Sequence, residues 1–393
     1  MSLIIPLALK SISTIVPPIL VEGTIFGLFV LEQDTYIYGN FNSITSIQRK
    51  DFASFDNITK TLTNFYQNGP DFSFHYSAAV MKTPDNNNSI LVCGIDSLVQ
   101  LDTTTGDILS SGPSYAGANL INYVYTDPNI NNSEIFVAGS FAKISTFTKN
   151  GFAKFNNNLS FNSSWTCSPN PAYTVYAICS SHLSTHVYAG GQFTSIRGIS
   201  RKSIARVRKT DGVVDTSFTY TPIPDSSGRP NSIRSMDLAQ NGTLWIAGDI
   251  NFSKPILRGL NENGTFYLEL TSSLPSTPLP LNYASQIKIN SLENKIYTSL
   301  ISFQNSSGKY MGILARFDSF GNLDTTFNSP SGYIILINNS LNPSINFDFD
   351  QTNDLIAVGG RFNWIGDWDM INGNSVTNFA YLSSDGSYIP LNS

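Results

Sequence analysis

The chain of 393 residues is short of the residue types that usually announce a chemistry. It has three cysteines and three histidines, and only 13% of it is charged. Cys93, Cys167 and Cys179 show no metal-ligand spacing, and an odd set of three cannot pair off completely within one chain. A disulfide framework is therefore excluded as the organising device. Cys93 and Cys179 sit in apolar stretches, where a thiol behaves as a small hydrophobe. His182 and His186 are four apart, but in a segment that reads as a turn between strands, so helical metal-ligand spacing has no meaning there. The net charge of −5 argues against nucleic acid, whose binding is dominated by clustered Lys and Arg. One basic run exists, Arg201, Lys202, Arg206, Arg208 and Lys209, and it reads as a loop and strand edge. No apolar run is long enough for a membrane span, and no long helical period occurs. Nucleophile-elbow, P-loop and dinucleotide fingerprints are absent from the sequence. These absences lead us to expect no catalytic residues, no metal and no cofactor.

What the chain does have is a repeat. The clearest copy runs from Val187 to Phe218. It opens on β-favouring Val187 and Tyr188, breaks at Gly190-Gly191, and places Phe193 as an apolar anchor. A polar loop containing Gly198 follows. Then Ser203 to Val207 mixes polar and apolar positions, as a half-buried strand does. Asp211-Gly212 is a tight-turn signal, and Val213 to Phe218 is expected to return as an outer strand. The same order of events recurs from Tyr36, Ile90, Ile135, Leu244, Ile296 and Leu355, which makes seven units. Each is preceded by a further candidate strand, among them Ile25 to Val30, Ile121 to Tyr125, Val175 to Cys179 and Ile233 to Leu238. Four strands per repeat of about 45 to 60 residues is the period of a propeller blade. The expected fold is all-β: a seven-bladed β-propeller of four-stranded antiparallel blades over residues 23–393, with the first strand of each unit innermost. Phe41, Phe141, Phe193 and Phe362 are expected to pack between blades.

Residues 1–22 are apolar but do not read as a leader. No Lys or Arg precedes the run, and Pro6 interrupts it. Pro17-Pro18 favours an extended conformation, so this segment is expected to be an extended N-terminal arm, pairing with the last blade or docking on a neighbouring subunit. Sequons such as those at Asn57, Asn241 and Asn263 are no more frequent than chance gives, and carry no case for glycosylation.

The pattern G-G-x-F, a glycine-containing loop, I-A-R, D-G and D-x-S-F over Val187 to Phe218 resembles the delta-60 repeat family. Leu314-Ala315-Arg316 with Asp324-Thr-Thr-Phe327, and Gly359-Gly-Arg-Phe362, are partial matches. The likeness extends over residues 24 to 391. It implies seven-bladed propellers in secreted, surface or appendage proteins, and it transfers no active site. The arginine of the I-A-R motif, Arg206 or Arg316, is expected to bond an Asp or a blade-edge carbonyl.

Two places remain as candidate sites. Trp364, Asp367, Trp368 and Asp369 form a polar, aromatic-tipped loop suited to contact with a ligand or partner. Asp348 and Asp350 flank Phe349 on one face of an expected inner strand, so both are candidates to point into the channel as a glycosidase-like pair, although a solvated channel wall is the simpler reading. The functional expectation is a non-enzymatic structural or binding module, extracellular or on a virion or cell surface. Its expected partners are other protein subunits of an assembly and a surface glycan, with no nucleic acid and no membrane span. The alternative is a carbohydrate-binding or glycoside-active protein using the channel mouth.

Overall fold

The computed structural model describes residues 20–66, 77–82, 87–93, 98–116, 121–127, 134–170, 174–181, 184–223, 230–252, 254–270, 281–302, 310–328, 331, 333–338, 344–366 and 373–390. All regular structure among them is β. Seven antiparallel sheets follow one another along the chain and form a seven-bladed β-propeller. The first strands are Val21–Leu31, Ser77–Lys82, Ile121–Tyr125, Thr174–Cys179, Ser232–Leu238, Leu281–Asn290 and Ile345–Asp350. Each packs on the first strand of the next blade, and the seventh packs on the first, so the ring is closed. The first strand of blade 1 begins at Val21, so two residues of the stretch read as an arm belong to the blade. Residues 1–19 lie outside the described part.

Blades 2, 5, 6 and 7 carry a fourth strand, respectively Ile108–Ser111, Phe266–Glu269, Tyr333–Asn338 and Tyr388–Ile389. In blades 1, 3 and 4 the outer segment meets the third strand at single bridges, Phe55 to Leu62, Phe155 to Phe161 and Val207 to Val214. The outer strand expected over Val213 to Phe218 is thus reduced to one bridge. The reason is local. Asp215 accepts hydrogen bonds from the Ser217 amide (2.9 Å) and hydroxyl (2.7 Å), which curl the chain off the ladder. The curl drives Phe218 into the core, where it is fully buried.

That core is not one mass. Among the described residues it divides into seven clusters, and each holds side chains from two adjacent blades. Phe41 lies in the cluster between blades 7 and 1, Phe141 between 2 and 3, Phe193 between 3 and 4, and Phe362 between 6 and 7. All four are almost wholly inaccessible. A blade has apolar side chains on both faces and can bury neither alone, so stacking around a ring is what satisfies it. The glycine pair serves the same seam. A Cβ on Gly190 would stand 2.8 Å from Met236 and 2.9 Å from Ile233 on the inner strand of blade 5, and one on Gly191 would stand 2.2 Å from the Thr174 carbonyl within its own blade.

The repeat motifs work across the seams. Arg206, on the third strand of blade 4, pairs with Asp215 at 2.7 Å and donates to the Glu262 carbonyl of blade 5 at 2.8 Å. Arg316 of blade 6 pairs with Asp324 at 3.0 Å and reaches the Ser384 carbonyl of blade 7. Lys154 takes the same place in blade 3, pairing with Glu134 and donating to the Lys209 carbonyl of blade 4 at 2.8 Å. The acceptors all lie in the turn between the third and outer strands of the following blade. The aromatic ring that ends the outer segment packs against the same kind of turn. Trp165 covers Gly212, and Phe327 covers Gly386. A Cβ on Gly212 would meet Cys167 at 2.7 Å, and its φ of 74° is itself open mainly to glycine. The D-G turn glycine therefore does more than close a hairpin; it leaves room for the previous blade's ring.

Two outcomes should follow. Phe193→Ala should destabilise the protein by about 3–5 kcal/mol in chemical denaturation, because no neighbour can fill a fully buried seam. The second concerns acid. Burial pushes the Asp215 carboxyl up, but the Ser217 hydroxyl and amide and the Arg206 guanidinium outweigh it and hold the pKa at about 2. A carboxylate depressed on folding contributes stability that is present above the unfolded value near 4 and is lost as pH falls towards 2. Asp215→Asn should thus lower the melting temperature at pH 7 and flatten its decline between pH 4 and pH 2.

Candidate functional site

The seven inner strands surround a cavity of about 600 Å3 along the propeller axis, to which all seven blades contribute. Five inner strands share one irregularity at the same place. Their register against the second strand slips between Ile25 and Gly27, Ile121 and Tyr123, Val175 and Ala177, Ile233 and Ser235, and Ala284 and Gln286. The extra residues are Phe26, Asn122, Tyr176, Arg234 and Ser285, and every one of them lines the cavity. A β-bulge bends its strand and re-aims a side chain. Here it turns out one residue per blade, beside a buried Ile, Val or Ala that faces the seam. In blade 7, Asn346 lines the cavity next to Ile345 without a bulge.

Arg234 is the most developed member of this ring. Its Nε donates to Asp249 Oδ2 at 2.6 Å, and the Asp249 carboxylate is completely buried. The other Asp249 oxygen accepts from the Phe252 amide at 2.7 Å. The guanidinium lies 4.7 Å from the Phe252 ring centre, 5.0 Å from Tyr283 and 5.8 Å from Tyr176, within the range of cation–π attraction. Ion pair and rings together fix the plane of the group.

Further along the same strand, Asp237 accepts from the Ile289 amide at 2.8 Å and the Leu238 amide at 2.9 Å. Burial pushes its pKa above the ordinary range, against the pull of these amides and of Lys288. Lys288 pairs with Asp348 at 2.7 Å, and Asp348 also accepts from the Val30 amide of blade 1 at 3.0 Å. Such bonds recur around the channel. Ser77 accepts from the Val124 amide at 3.2 Å, and Gln286 gives and receives at the Phe347 backbone at 3.1 and 2.8 Å. Inner-strand side chains thus stitch blade 2 to 3, 5 to 6, 6 to 7 and 7 to 1.

The sequence candidates fall in different places. Asp348 lines the channel, but Asp350 does not share it. Asp350 is buried at the end of its strand, where it accepts from the Thr352 and Asn353 amides and from Asn57 of blade 1. The turn amides that terminate the strand capture it, so the two carboxylates form no pair across a substrate. Trp364 lies half-buried against the core between blades 5 and 6, on Trp364–Gly366, which pairs with Tyr333–Asn338. It is not a channel residue. Asp367, Trp368 and Asp369 lie outside the described residues, as do His75 and His182. His186 stands 3.6 Å from Asp215. The basic run is largely engaged within the protein: Arg201 reaches the Thr216 carbonyl, Arg206 binds Asp215, Arg208 binds Asp211 and Lys209 donates to the Ser181 carbonyl. Cys93, Cys167 and Cys179 are buried thiols, and burial raises the first two to about 12. Among the described residues no helix is long and apolar enough to cross a membrane.

The ring of bulge residues was not foreseen from the sequence. The signal was there: when six of the repeats are aligned on Ile25, Ile121, Val175, Ile233, Ala284 and Ile345, the next position holds Phe, Asn, Tyr, Arg, Ser and Asn.

Residues 131–164 and 186–218 match a family model described as a domain of unknown function (DUF5122) beta-propeller. These segments fall in blades 3 and 4 and support a repeat of β-propeller type. No curated protein matches the sequence. Among solved structures, the dihydro-heme d1 dehydrogenase NirN in complex with DHE is similar at a TM-score of 0.45 and 10% identity, over 91% of this chain and 68% of that one. A putative TolB from Agrobacterium tumefaciens is similar at 0.38 and 10% identity, over 62% of this chain and 77% of that one. Likeness at this level carries no argument about function.

Gln286→Leu should cost about 1–3 kcal/mol in denaturant unfolding, because it leaves both polar groups of the Phe347 backbone without their partner.

Proposed function

We infer that the chain is a non-enzymatic binding module, built from delta-60-type repeats and presenting its channel mouth and its faces to partners. One observation carries this reading. Every seam is filled by one buried apolar cluster shared by two adjacent blades, and in blades 3, 4 and 6 a basic residue, Lys154, Arg206 or Arg316, clamps one blade to the next. The bulge position, held in the same place by the same backbone device, changes chemistry in nearly every blade. A scaffold that fixes its seams and varies the residues facing one cavity is organised for recognition.

The setting we propose is a larger assembly, on a virion, an appendage or a cell surface. Supporting it are the apolar composition of residues 1–22 and the place where that segment enters the ring. Leu20 bridges to Thr377 of blade 7, and its carbonyl accepts from the Thr45 amide of blade 1 at 2.8 Å. The segment therefore arrives at the seam between the last blade and the first, and it has already met its bridging partners by residue 20.

Deleting residues 1–19 should leave the melting temperature within about 2 °C of the full chain, since no described seam contact is removed. The same deletion should reduce the mass of the species seen by native mass spectrometry or sedimentation of material purified with its neighbours. A deletion that unfolds the ring, or one that leaves assembly unchanged, would remove the arm from this role.

A further inference from the structure

The channel also says something about what it holds. Resting on the reading of this protein as a binding module, we propose that the cavity binds a carboxylated sugar, a uronic or sialic acid, with the carboxylate on Arg234 and the sugar ring against Tyr176.

The argument begins with hydrogen-bond capacity. Asp237 and Asp348 are acceptors already used by the protein: the amides of Ile289, Leu238, Phe349 and Val30 and the Lys288 ammonium are directed at them. Arg234 is different. A guanidinium has five N–H donors in a fixed fork. Only Nε is bonded to a described residue, Asp249, and that carboxylate has its second oxygen occupied by the Phe252 amide. The terminal nitrogens bond no described residue, on a side chain that lines the cavity. Held in plane by one buried carboxylate and three rings, the group is pre-organised for a bidentate oxyanion.

The surroundings narrow the class. Asn122, Ser285 and Asn346 stand at the equivalent positions of other blades; the two asparagines offer amides, while the Ser285 hydroxyl is engaged by Ser299 at 2.7 Å. None brings a charge. Neutral donors and acceptors suit a ligand with several hydroxyls, and the Tyr176 ring suits the apolar C–H face of a pyranose. About 600 Å3 lies within the usual range for small-ligand sites. A bare inorganic anion would use Arg234 and leave the rest of the ring unemployed.

The test uses the full chain, isothermal titration and ligand-observed NMR. Probes are D-glucuronic acid and N-acetylneuraminic acid, with D-glucose and N-acetylglucosamine as neutral counterparts. At least one acid should bind ten-fold or more tightly than either neutral sugar. Arg234→Lys keeps a cation beside Asp249 but loses the fork, and should weaken that acid at least ten-fold. If Arg234→Lys lowers the melting temperature, Tyr176→Ala decides instead, since it is outside the ion pair; it should weaken the acid several-fold. Neutral sugars binding as tightly as the acids, or acid binding that survives both variants, would overturn the carboxylate assignment and leave the binding-module reading intact. Failure of all four probes to bind the folded wild-type chain would overturn the inference altogether. Deletion of residues 1–19 tests the assembly reading independently.

Discussion

The structure depends on a clamp between successive repeats. A basic residue near the end of one third strand is held by its own blade's carboxylate and donates to a carbonyl in the next blade's outer turn. An aromatic ring beside it closes over a glycine in a turn of the same kind. Neither half is strong alone. A largely buried ion pair contributes little net, because the loss of hydration offsets its Coulomb attraction, whereas a fully buried aromatic is worth about 3–5 kcal/mol. The ring therefore supplies most of the attraction, and the charged groups fix where it lands. The turn that receives Lys154 belongs to blade 4, which clamps blade 5, and the turn that receives Arg316 belongs to blade 7, which clamps blade 1 through Tyr381, so one local geometry recurs at four of the seven seams.

This division of labour explains why the channel is free to vary. The seam residues must satisfy two blades at once, so a change there is felt on both sides. A bulged residue on an inner strand follows a residue buried in the seam, but its own side chain faces the cavity. It can change from Phe26 to Asn122 to Arg234 without touching the clamp. The device that breaks ladder regularity is thus the one that separates recognition from stability. Asp249 shows the cost of using it. It is a fully buried carboxylate whose partner is a channel arginine, an arrangement that would be expensive if Arg234 were lost.

Much of the fold was legible because the repeat is punctuated by residues with narrow conformational uses. Gly190-Gly191, Asp211-Gly212 and the alternating strand from Ile204 mark strand, loop and turn in order, and seven such units leave little room for another architecture. The role of Arg206 and Arg316 was legible for the same reason: a charged residue in a half-buried strand needs a partner, and D-x-S-F supplies one nearby. The outer strand of blade 4 was misread because Asp215 and Ser217 compete for the backbone, and their turn outweighs β-propensity at Val213 and Val214. The channel ring was missed because a bulge leaves no mark in a single strand; Ile233-Arg234-Ser235 reads as ordinary alternation. Asp350 was misplaced for a related reason. Period two holds only while the strand lasts, and the strand ends there.

Closure of the ring needs a separate argument, since no chain connection runs from blade 7 to blade 1 at this seam and, among the described residues, only the Leu20 to Thr377 bridge links the N-terminal segment to the last blade. Polar bonds are correspondingly dense. Asn378 donates to the Val21 and Gly23 carbonyls at 3.0 and 2.6 Å, and Tyr381 donates to Asn57 at 2.6 Å, 324 positions away in sequence. Asn57 in turn donates to Asp350 at 2.7 Å. Here Tyr381 stands where blades 3 to 6 carry a basic residue, so the clamp is kept with a neutral donor. The entropy of bringing such distant segments together grows only slowly, by about 0.6 kcal/mol for each doubling of loop length. Once six seams have formed, the seventh joins surfaces whose spacing is already set, and that cost falls further. The same set of side chains that looks redundant beside the apolar cluster of Phe41, Phe55 and Phe379 then has a specific task. It selects one register for two strands that no turn connects.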